Sequence, residues 1–330
     1  MMSSHICRKL LFATTTMALA LAGAQANAAD AANWPDKPIR VIVGFPPGGG
    51  ADMVARVMAE KMGQELGQPM VVENRSGATG QIATNAVIRS PADGYTLLVD
   101  TNSFSSNPAL IPNMPYDTKE DFIPVSVFVK FPLLLIKKTT FEPKTVQELI
   151  ERVKASPGQV TYGTSGIGSV QHLYTALFAQ RFGLDMLHVP YKGGSQSVAA
   201  LVGGQIDIIM ANGGSSLSFV QSKQVDAIAT TGAARSDSLP DVPTMAEMGV
   251  SDFEAYDWTA LFAPKGTPPE IIEKLSVAAQ NAVKDPAIRA RLIKMGGEPV
   301  GDSPAEAKAY IHGLIDRWTK VVGDTNIKME

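Results

Sequence analysis

Two glycine-rich loops contain the residues most able to bind a phosphate or to perform chemistry. The first loop, FPPGGGAD over residues 45–52, lacks the lysine and Ser/Thr that a P-loop places after its last glycine, since Ala51 follows Gly50. A dinucleotide fingerprint fails as well, because Met53 occupies the position of its third glycine. The first loop therefore predicts neither kind of nucleotide site.

The second loop, GTSGIGS over residues 163–169, resembles the turn that presents a nucleophilic serine in hydrolases. Ile167 stands where that motif needs its second glycine, and His172 lies on the predicted helix after the loop rather than opposite Ser165. No orienting acid is evident. We therefore favour a protein without catalytic activity. We also expect no cofactor and no metal, because the sequence has no paired histidine, cysteine or carboxylate motif.

The N-terminus has the pattern of a secretory leader. Arg8-Lys9 precedes an apolar run that reaches Ala22, and residues 26–28 are the small residues that signal peptidase cleaves. The run is too short for a membrane-spanning helix. The prediction is a signal peptide over residues 1–28 and a periplasmic mature protein. Because Cys7 is the only cysteine, the mature protein should contain neither a thiol nor a disulfide.

Length and charge restrict the number of domains and the classes of partner that the chain could bind. The chain has 330 residues, of which 45% are hydrophobic, enough for two domains with ordinary cores. The predicted leader contains two of the 29 basic residues and none of the 32 acidic ones, so 27 basic and 32 acidic residues remain. An acidic chain without basic clusters argues against nucleic acid as a partner.

Strands and helices alternate twice along the chain, which predicts two α/β lobes with parallel strands. Two β-prone stretches, 123–138 with an interruption at Pro132 and 256–264, predict two crossings between the lobes. The helices that start near Pro268, Pro286 and Pro304 are expected to return and cover the first lobe. The predicted strands are 39–44, 70–72 and 96–99 in the first lobe and 160–162, 186–189 and 206–210 in the second.

The loops that follow the predicted strands share one composition. In an open parallel sheet these loops form the ligand crevice. They are dominated by Gly, Ser, Thr and Asn, so they offer backbone and hydroxyl donors beside helix N-termini, which favours an anion such as a carboxylate or phosphate. The loops cover residues 45–52, 73–80, 100–107, 163–169, 190–195 and 211–216.

Single side chains in and near these loops leave alternatives open. Asp52 could select a ligand amine or cap the helix behind it, and Arg75 could clamp a carboxylate or stay solvated. His172 could donate to a ligand or pack on its own helix. Trp258, in the second crossing, is expected to pack in the core or the hinge, and the methionines of the first helix are expected in the core.

Six motifs, in order along the chain, resemble the periplasmic substrate-binding proteins of tripartite tricarboxylate transporters, the Bug or TctC-like family. They are FPPGGGADMVAR, VVENRSGATGQIAT, SPADGYTLL, YGTSGIGSVQHL, VPYKGGSQSVAALVGGQID and LPDVPTMAEMGV. The resemblance extends from about Trp34 to the C-terminus. It implies an α/β, two-lobed periplasmic-binding-protein fold of type II, a Venus flytrap with two crossings. Lobe 1 would contain residues 34–133 and 256–330, and lobe 2 residues 134–255.

The same resemblance implies a monomeric receptor that performs no catalysis. It would capture a small carboxylate, such as a di- or tricarboxylate or an aromatic acid, and deliver it to the membrane permease of the transporter. The alternative is a periplasmic module that binds the ligand and signals to a sensor kinase.

Site residues are also implied by the resemblance. Family members commonly carry an acidic residue at the position of Asn212, so Asn212 disfavours a ligand with an amine. In lobe 1 the ligand-binding residues would be Phe45, Gly48, Gly49, Asp52, Gly77 and Ala78. In lobe 2 they would be Thr164, Ser165, Gly168, Ser169, His172 and Asn212.

Overall fold

The computed structural model of the protein describes residues 33–325 and residue 327. The predicted signal peptide over residues 1–28, with Cys7, lies outside the described residues. Within the described part of the chain, no helix combines the length and the apolar character that crossing a membrane requires.

The N-terminal third of the chain forms a parallel α/β unit followed by one long strand. Strand β1 pairs in parallel with β2 on one side and with β3 on the other. The elements are β1 (Ile39–Val43), α1 (Gly50–Leu66), β2 (Met70–Asn74), a 3-10 turn (Ala78–Gly80), α2 (Gln81–Ile88), β3 (Thr96–Asp100), α3 (Asn102–Leu110) and β4 (Phe122–Lys138).

Helix α1 forms because its apolar residues repeat at helical spacing and cover one face of this unit. Val54, Met58 and Met62 are fully buried against β1 and β3. Met53 is 43% exposed, so the expectation that all methionines of this helix are core residues is wrong at that position. The helix ends at Gly67, whose left-handed conformation (φ 73°) suits glycine.

The middle of the chain forms the second α/β unit, in which β5 lies between β6 and β7 and is parallel to both. Helix α4 and strand β8 were not predicted from the sequence. The elements are α4 (Val146–Ala155), β5 (Thr161–Thr164), α5 (Val170–Phe182), β6 (Leu187–Pro190), α6 (Gly194–Val202), β7 (Ile208–Asn212), α7 (Gly213–Gln221) and β8 (Val225–Thr230).

The C-terminal third returns to the first unit. Strand β9 pairs with β3 and with β4, and helix α8 packs with α1 in the same apolar cluster. The short strand β10 pairs with β4. The elements are β9 (Tyr256–Pro264), α8 (Pro269–Lys284), α9 (Pro286–Lys294), β10 (Glu298–Pro299) and α10 (Pro304–Thr325).

Strand β4 joins the two units, giving the strand order β2-β1-β3-β9-β4-β7-β5-β6. Its residues up to Pro132 pair with β9, and those from Leu133 onward pair with β7 and β8. The predicted interruption at Pro132 is wrong, because the strand continues and only its partners change there. The Leu133 N–H donates to Oγ1 of Thr231 at 2.8 Å, a bond that holds the strand at this switch.

Helix α10 contradicts the expectation that all the terminal helices cover the first lobe. The Trp318 ring of α10 packs edge-on against Tyr174 of α5, with 4.7 Å between the ring centroids. Both rings are fully buried and belong to an apolar cluster that includes residues of both α/β units. The last helix therefore covers the junction of the two units.

Candidate functional site

A cavity of about 440 Å³ lies between the two α/β units, beside the carboxyl ends of β3, β5 and β7. Most of its lining residues are Ser, Thr, Asn, Gln and Gly. The lining residues are Phe45, Thr79, Thr101, Asn102, Ser103, Ser106, Asn107, Leu110, Ser165, Gly166, Ile167, Gly168, Ser169, Val170, Gln171, Gly194, Ser195, Asn212, Ser215 and Asp257.

Four helices begin at this cavity. Helices α3, α5, α6 and α7 each place residues of their first turn in the lining. Helix N-termini carry unpaired N–H groups and a partial positive charge, so four of them together favour a bound anion. Loops 100–107 and 211–216 were predicted as non-helical crevice segments, but most of their residues belong to α3 and α7.

The second glycine-rich loop is held in place by bonds to α5. The Ser165 N–H donates to Oε1 of Gln171 at 2.7 Å, and the Gly168 N–H donates to Nδ1 of His172 at 3.1 Å. The Ser169 hydroxyl caps α5 by accepting from the His172 N–H. Gly168 has a φ of 73°, in the left-handed region that glycine tolerates. The loop is thus a preformed wall of the cavity.

His172 supports this loop from behind and is absent from the cavity lining. Its ring stacks on His188 with 3.9 Å between centroids, and Nε2 of His188 lies 2.7 Å from Oγ1 of Thr164. Burial, with a smaller effect of His188, lowers the pKa of His172 to about 4. The ring is therefore neutral at physiological pH, as its role as acceptor for Gly168 requires.

A chain of side-chain hydrogen bonds crosses the floor of the cavity. Nε2 of Gln171 donates to Oδ1 of Asn212 at 3.4 Å, and Nδ2 of Asn212 donates to Oδ2 of Asp257 at 2.8 Å. Oδ1 of Asp257 accepts from the Trp258 N–H at 2.9 Å. Burial raises the pKa of Asp257, and these hydrogen bonds oppose that shift. The Asn212 amide is therefore hydrogen-bonded to a carboxyl group.

Sequence reasoning missed Asp257, although it is the one ionisable side chain among the described residues of the lining. The available signal is a carboxylate inside the apolar stretch YDWTALFAP, a stretch that otherwise predicts only a crossing between the lobes. Trp258, the next residue, is fully buried in β9, in agreement with its expected core position.

A second carboxyl group, Asp100, lies fully buried at the end of β3, outside the lining. Its Oδ1 accepts from the Thr101 N–H at 2.7 Å and from the Ser103 hydroxyl at 2.9 Å. Burial raises its pKa to about 7, and the charge of Asp257 adds to that rise. The carboxyl thereby fixes the first turn of α3 at the cavity edge.

The first glycine-rich loop is bonded mainly to its own helix. Asp52 is only 2% exposed, and its Oδ2 accepts from the Gly48 N–H at 2.8 Å while Asn74 donates to its Oδ1. Burial alone would raise its pKa, but the bonds from Arg56, Gly48 and Asn74 outweigh burial and lower it. Gly49 is the N-cap residue, so Asp52 steadies the helix start from its first turn instead of capping it.

The predicted site residues divide into two groups. Phe45, Ser165, Gly168, Ser169 and Asn212 line the cavity. Gly48, Gly49, Asp52, Gly77, Ala78, Thr164 and His172 lie outside its lining. Arg75 is also outside, with its Nε donating to Oε1 of Glu73 at 2.7 Å. Ligand contact remains a prediction for both groups.

Several lining residues were missed as individuals although their segments were recognised. Asn102, Ser103 and Ser106 lie on α3, and Gly194 and Ser195 begin α6. Their signal was the Ser, Asn and Gly content of loops 100–107 and 190–195. Among residues 33–325 and 327, no group of three His, Cys, Asp or Glu side chains could hold a metal ion.

Comparison with known proteins identifies the class of protein that this fold and site define. The sequence model of TctC, described as the tripartite tricarboxylate transporter family receptor, matches residues 54–327. The chain belongs to this family of solute-binding receptors, and its fold is the two-lobed periplasmic-binding-protein fold.

Particular relatives are similar over nearly the whole chain. Protein BugT of Bordetella pertussis is 38% identical over 322 residues, covering 97% of this chain and 98% of BugT. An R. palustris protein solved with adipate is 33% identical with a TM-score of 0.77, covering 90% of this chain and 99% of that one. MatC of Rhodopseudomonas palustris, solved with bound malate, is 32% identical with a TM-score of 0.72, covering 88% of this chain and 100% of MatC.

Proposed function

We propose that the protein captures a small carboxylate in the periplasm and delivers it to the permease of a tripartite tricarboxylate transporter. The convergence of four helix N-termini on one cavity carries this proposal, because each adds a partial positive charge. A carboxylate matches these groups without needing a lysine or arginine in the lining.

The ligand class is supported by similar proteins and by the size of the cavity. Two of the similar structures were solved with adipate and with malate, both small dicarboxylates. The cavity volume of about 440 Å³ is within the range of small-molecule sites. A di- or tricarboxylate or a small aromatic acid is therefore the proposed ligand.

The proposed binding mode involves both lobes, residues 34–133 with 256–330 and residues 134–255. Ser165 and Ser169 would receive a ligand carboxylate in the second lobe, while Phe45 and α3 would cover it from the first. A ligand that contacts both lobes at once favours the closed arrangement, because only closure supplies both sets of contacts. The closed receptor would then present its surface to the permease.

A ligand screen by thermal unfolding tests the capture of a carboxylate. The protein without residues 1–28 is heated with mono-, di- and tricarboxylates, amino acids and aromatic acids, with neutral sugars as controls. A ligand at a hundred times its dissociation constant should add about 2.7 kcal/mol to the free energy of unfolding, which raises the midpoint by several degrees. Stabilisation by sugars or cations, with none by carboxylates, would contradict the proposal.

Uptake measurements test delivery separately from capture. A strain lacking the gene should lose uptake of the identified carboxylate if the receptor serves a permease. Normal uptake, together with loss of a transcriptional response to the same carboxylate, would favour signalling to a sensor kinase.

Incubation of the purified protein with the ligand should leave the ligand unchanged. Turnover abolished by Ser165→Ala would instead indicate an enzyme.

A further inference from the structure

A second pocket lies behind the cavity, on the other face of β9. It has a volume of about 460 Å³ and is lined by Tyr256, whereas Asp257, the next residue of β9, lines the cavity. Successive side chains of a strand point to opposite faces of its sheet, so β9 separates the two spaces. Lys130 of β4, Tyr174 of α5 and residues of α10 form further walls. We call this space the rear pocket.

Lys130 presents an ammonium group at the wall of the rear pocket. Its Nζ lies 3.7 Å from the ring centroid of Tyr310 and 5.9 Å from that of Tyr256, and both rings line the pocket with it. Among the described residues this Nζ has no hydrogen-bond acceptor and no ion-pair partner, yet it is not sealed from solvent. The ammonium group is therefore held by ring faces and is open to the pocket.

The surroundings of Lys130 favour an acceptor that the chain itself does not supply. The faces of aromatic rings attract a cation, but they give its three N–H donors no oxygen atom to bond. Burial lowers the pKa of Lys130, and the charges of Asp302, Glu254 and Glu298 oppose that shift without forming an ion pair. A charge withdrawn from water without hydrogen-bonding partners is costly. A carboxylate bound in the pocket would supply the missing acceptors.

Charges of both signs line the rear pocket. Its cationic residues are Lys130 of β4 and Arg317 of α10. Its acidic residues are Asp252 and Glu254, on the segment before β9. Arg317, Asp252 and Glu254 are exposed, and none of their side chains forms an ion pair within the described part of the chain. All four charges are therefore available to a ligand.

This lining selects a ligand that carries both charges. Carboxylates alone would be repelled by Asp252 and Glu254, and amines alone would leave Lys130 without an acceptor. The charge of Glu254 acts on the Lys130 ammonium group, so the two groups are near enough for one small molecule to contact both. In an α-amino acid the carboxylate and the ammonium group are attached to the same carbon atom. The volume of the pocket is within the range of small-molecule sites.

We propose that the rear pocket is a second binding site, which takes an α-amino acid with its carboxylate at Lys130 and Arg317 and its ammonium group at Glu254. The site is distinct from the cavity, and its occupation does not depend on the proposed function. Its walls on β4, β9, α5 and α10 belong to both α/β units, so a bound amino acid would contact the junction that joins them.

Calorimetric titration with the standard amino acids, each compared with its α-amide, tests the inference on the protein without residues 1–28. The amide lacks the carboxylate that Lys130 and Arg317 would bind. The amino acid that fits the pocket should bind at least about tenfold more tightly than its amide, because the amide offers the two cations no charged acceptor.

Variants of the charged lining residues locate the site. Lys130→Met keeps an apolar chain against Tyr310 but removes the charge, and it should weaken amino-acid binding at least about tenfold. Arg317→Gln should weaken binding at least about threefold, since that side chain is exposed. Glu254→Gln should also weaken binding about threefold, whereas a ligand with a carboxylate alone would bind more tightly once that negative charge is removed.

Lys308→Met is the matched control for Lys130→Met. Lys308 is an exposed residue of α10 outside the rear pocket, so the same change there should alter affinity less than about twofold. Thermal unfolding of each variant without ligand shows that it is folded. If Lys130→Met does not fold, Arg317→Gln and Glu254→Gln decide, because both positions are exposed.

The results that overturn the inference leave the proposed function intact. They are the absence of binding by every amino acid at millimolar concentration, equal affinity for an amino acid and its amide, unchanged affinity in Lys130→Met and Arg317→Gln, or tighter binding in Glu254→Gln. Binding that is lost in Gln171→Glu, which places a carboxylate in the cavity, but retained in Lys130→Met would assign the amino acid to the cavity and overturn the inference too. Failure of every carboxylate to bind would instead contradict the proposed function alone.

Discussion

The two glycine-rich loops have similar composition but different surroundings. Residues 163–169 place Ser165, Gly168 and Ser169 in the cavity and are bonded from behind by α5. Residues 45–52 place only Phe45 there, and their backbone is bonded to Asp52 of their own helix. Glycine content alone therefore does not identify a ligand loop. The two loops differ in how hydrogen bonds hold them: those of residues 163–169 keep the loop at the cavity wall, whereas that of residues 45–52 holds the loop against its own helix.

The bracing side chains differ in chemistry as well. The second loop donates backbone hydrogen bonds to two neutral groups, the Gln171 amide and the His172 imidazole. Behind the first loop stands a charged carboxylate, Asp52, paired with Arg56 at 2.9 Å. The neutral Gln171 and His172 side chains leave the positive potential of the α5 N-terminus available to an anion. The Asp52 carboxylate, in contrast, already occupies the first turn of α1.

The largest expected effect comes from adding a negative charge at Gln171, one of the neutral side chains behind the second loop. Gln171→Glu keeps an acceptor for the Ser165 N–H but places a carboxylate in the cavity. At about 4 Å and an effective dielectric constant of about 20, two like charges repel by about 4 kcal/mol. Carboxylate affinity, measured by calorimetry, should fall at least about a hundredfold.

Gln159→Glu provides the control for that substitution. Gln159 is exposed and lies outside the cavity lining, so the same change of charge there should alter affinity less than about twofold. Equal losses in the two variants would mean that net charge, and not the cavity, governs binding. An unchanged affinity in Gln171→Glu would remove the anion site from this loop.

A matched pair of alanine substitutions compares the loops directly. Gly48 and Gly168 both have a left-handed φ, 79° and 73°, so alanine at either position should cost about 1 kcal/mol of folding stability. Only Gly168 lines the cavity. Affinity should fall about tenfold in Gly168→Ala and less than about twofold in Gly48→Ala. The opposite order would assign the ligand to the first loop.

A further prediction concerns the pH dependence of stability. The pKa of His172 is lowered to about 4 from 6.5, so its contribution is present above pH 6.5 and is lost as the pH falls toward 4. The pKa of Asp100 is raised to about 7 from 3.8, so its contribution is present below pH 3.8 and is lost as the pH rises toward 7.

Denaturant unfolding between pH 4 and pH 7 checks these opposite signs. The destabilisation caused by His172→Gln should shrink as the pH falls, and that caused by Asp100→Asn should shrink as it rises. Neither slope should exceed about 1.4 kcal/mol per pH unit. Slopes of the same sign in the two variants would contradict the assigned pKa directions.

Much of the fold could be predicted because its signals are local. The alternation of apolar runs with helical spacing located the parallel strands within one or two residues, and strand 256–264 was predicted with its observed bounds. Helix α3 was not predicted, because its apolar and polar residues do not separate onto two faces. Asn102, Ser105, Ser106 and Asn107 are all buried there, an environment that tertiary packing creates.

The site was less predictable than the fold for the same reason. Loops that follow strands can be recognised by their Gly, Ser, Thr and Asn content, so Ser165 and Ser169 could be predicted as site residues. Asp257 could not, because its strand reads as apolar and its approach to Asn212 joins residues 45 positions apart. The cover that α10 gives to both units also depends on a distant contact, that of Trp318 with Tyr174.

A crystal structure of the leaderless protein with the carboxylate that stabilises it most tests the central claim directly. We predict that a ligand carboxylate lies within hydrogen-bonding distance, about 2.7–3.2 Å, of donors in residues 165–171, with the rest of the ligand between Phe45 and Asp257. A ligand held only by residues 46–52, or bound outside this cavity, would contradict the account.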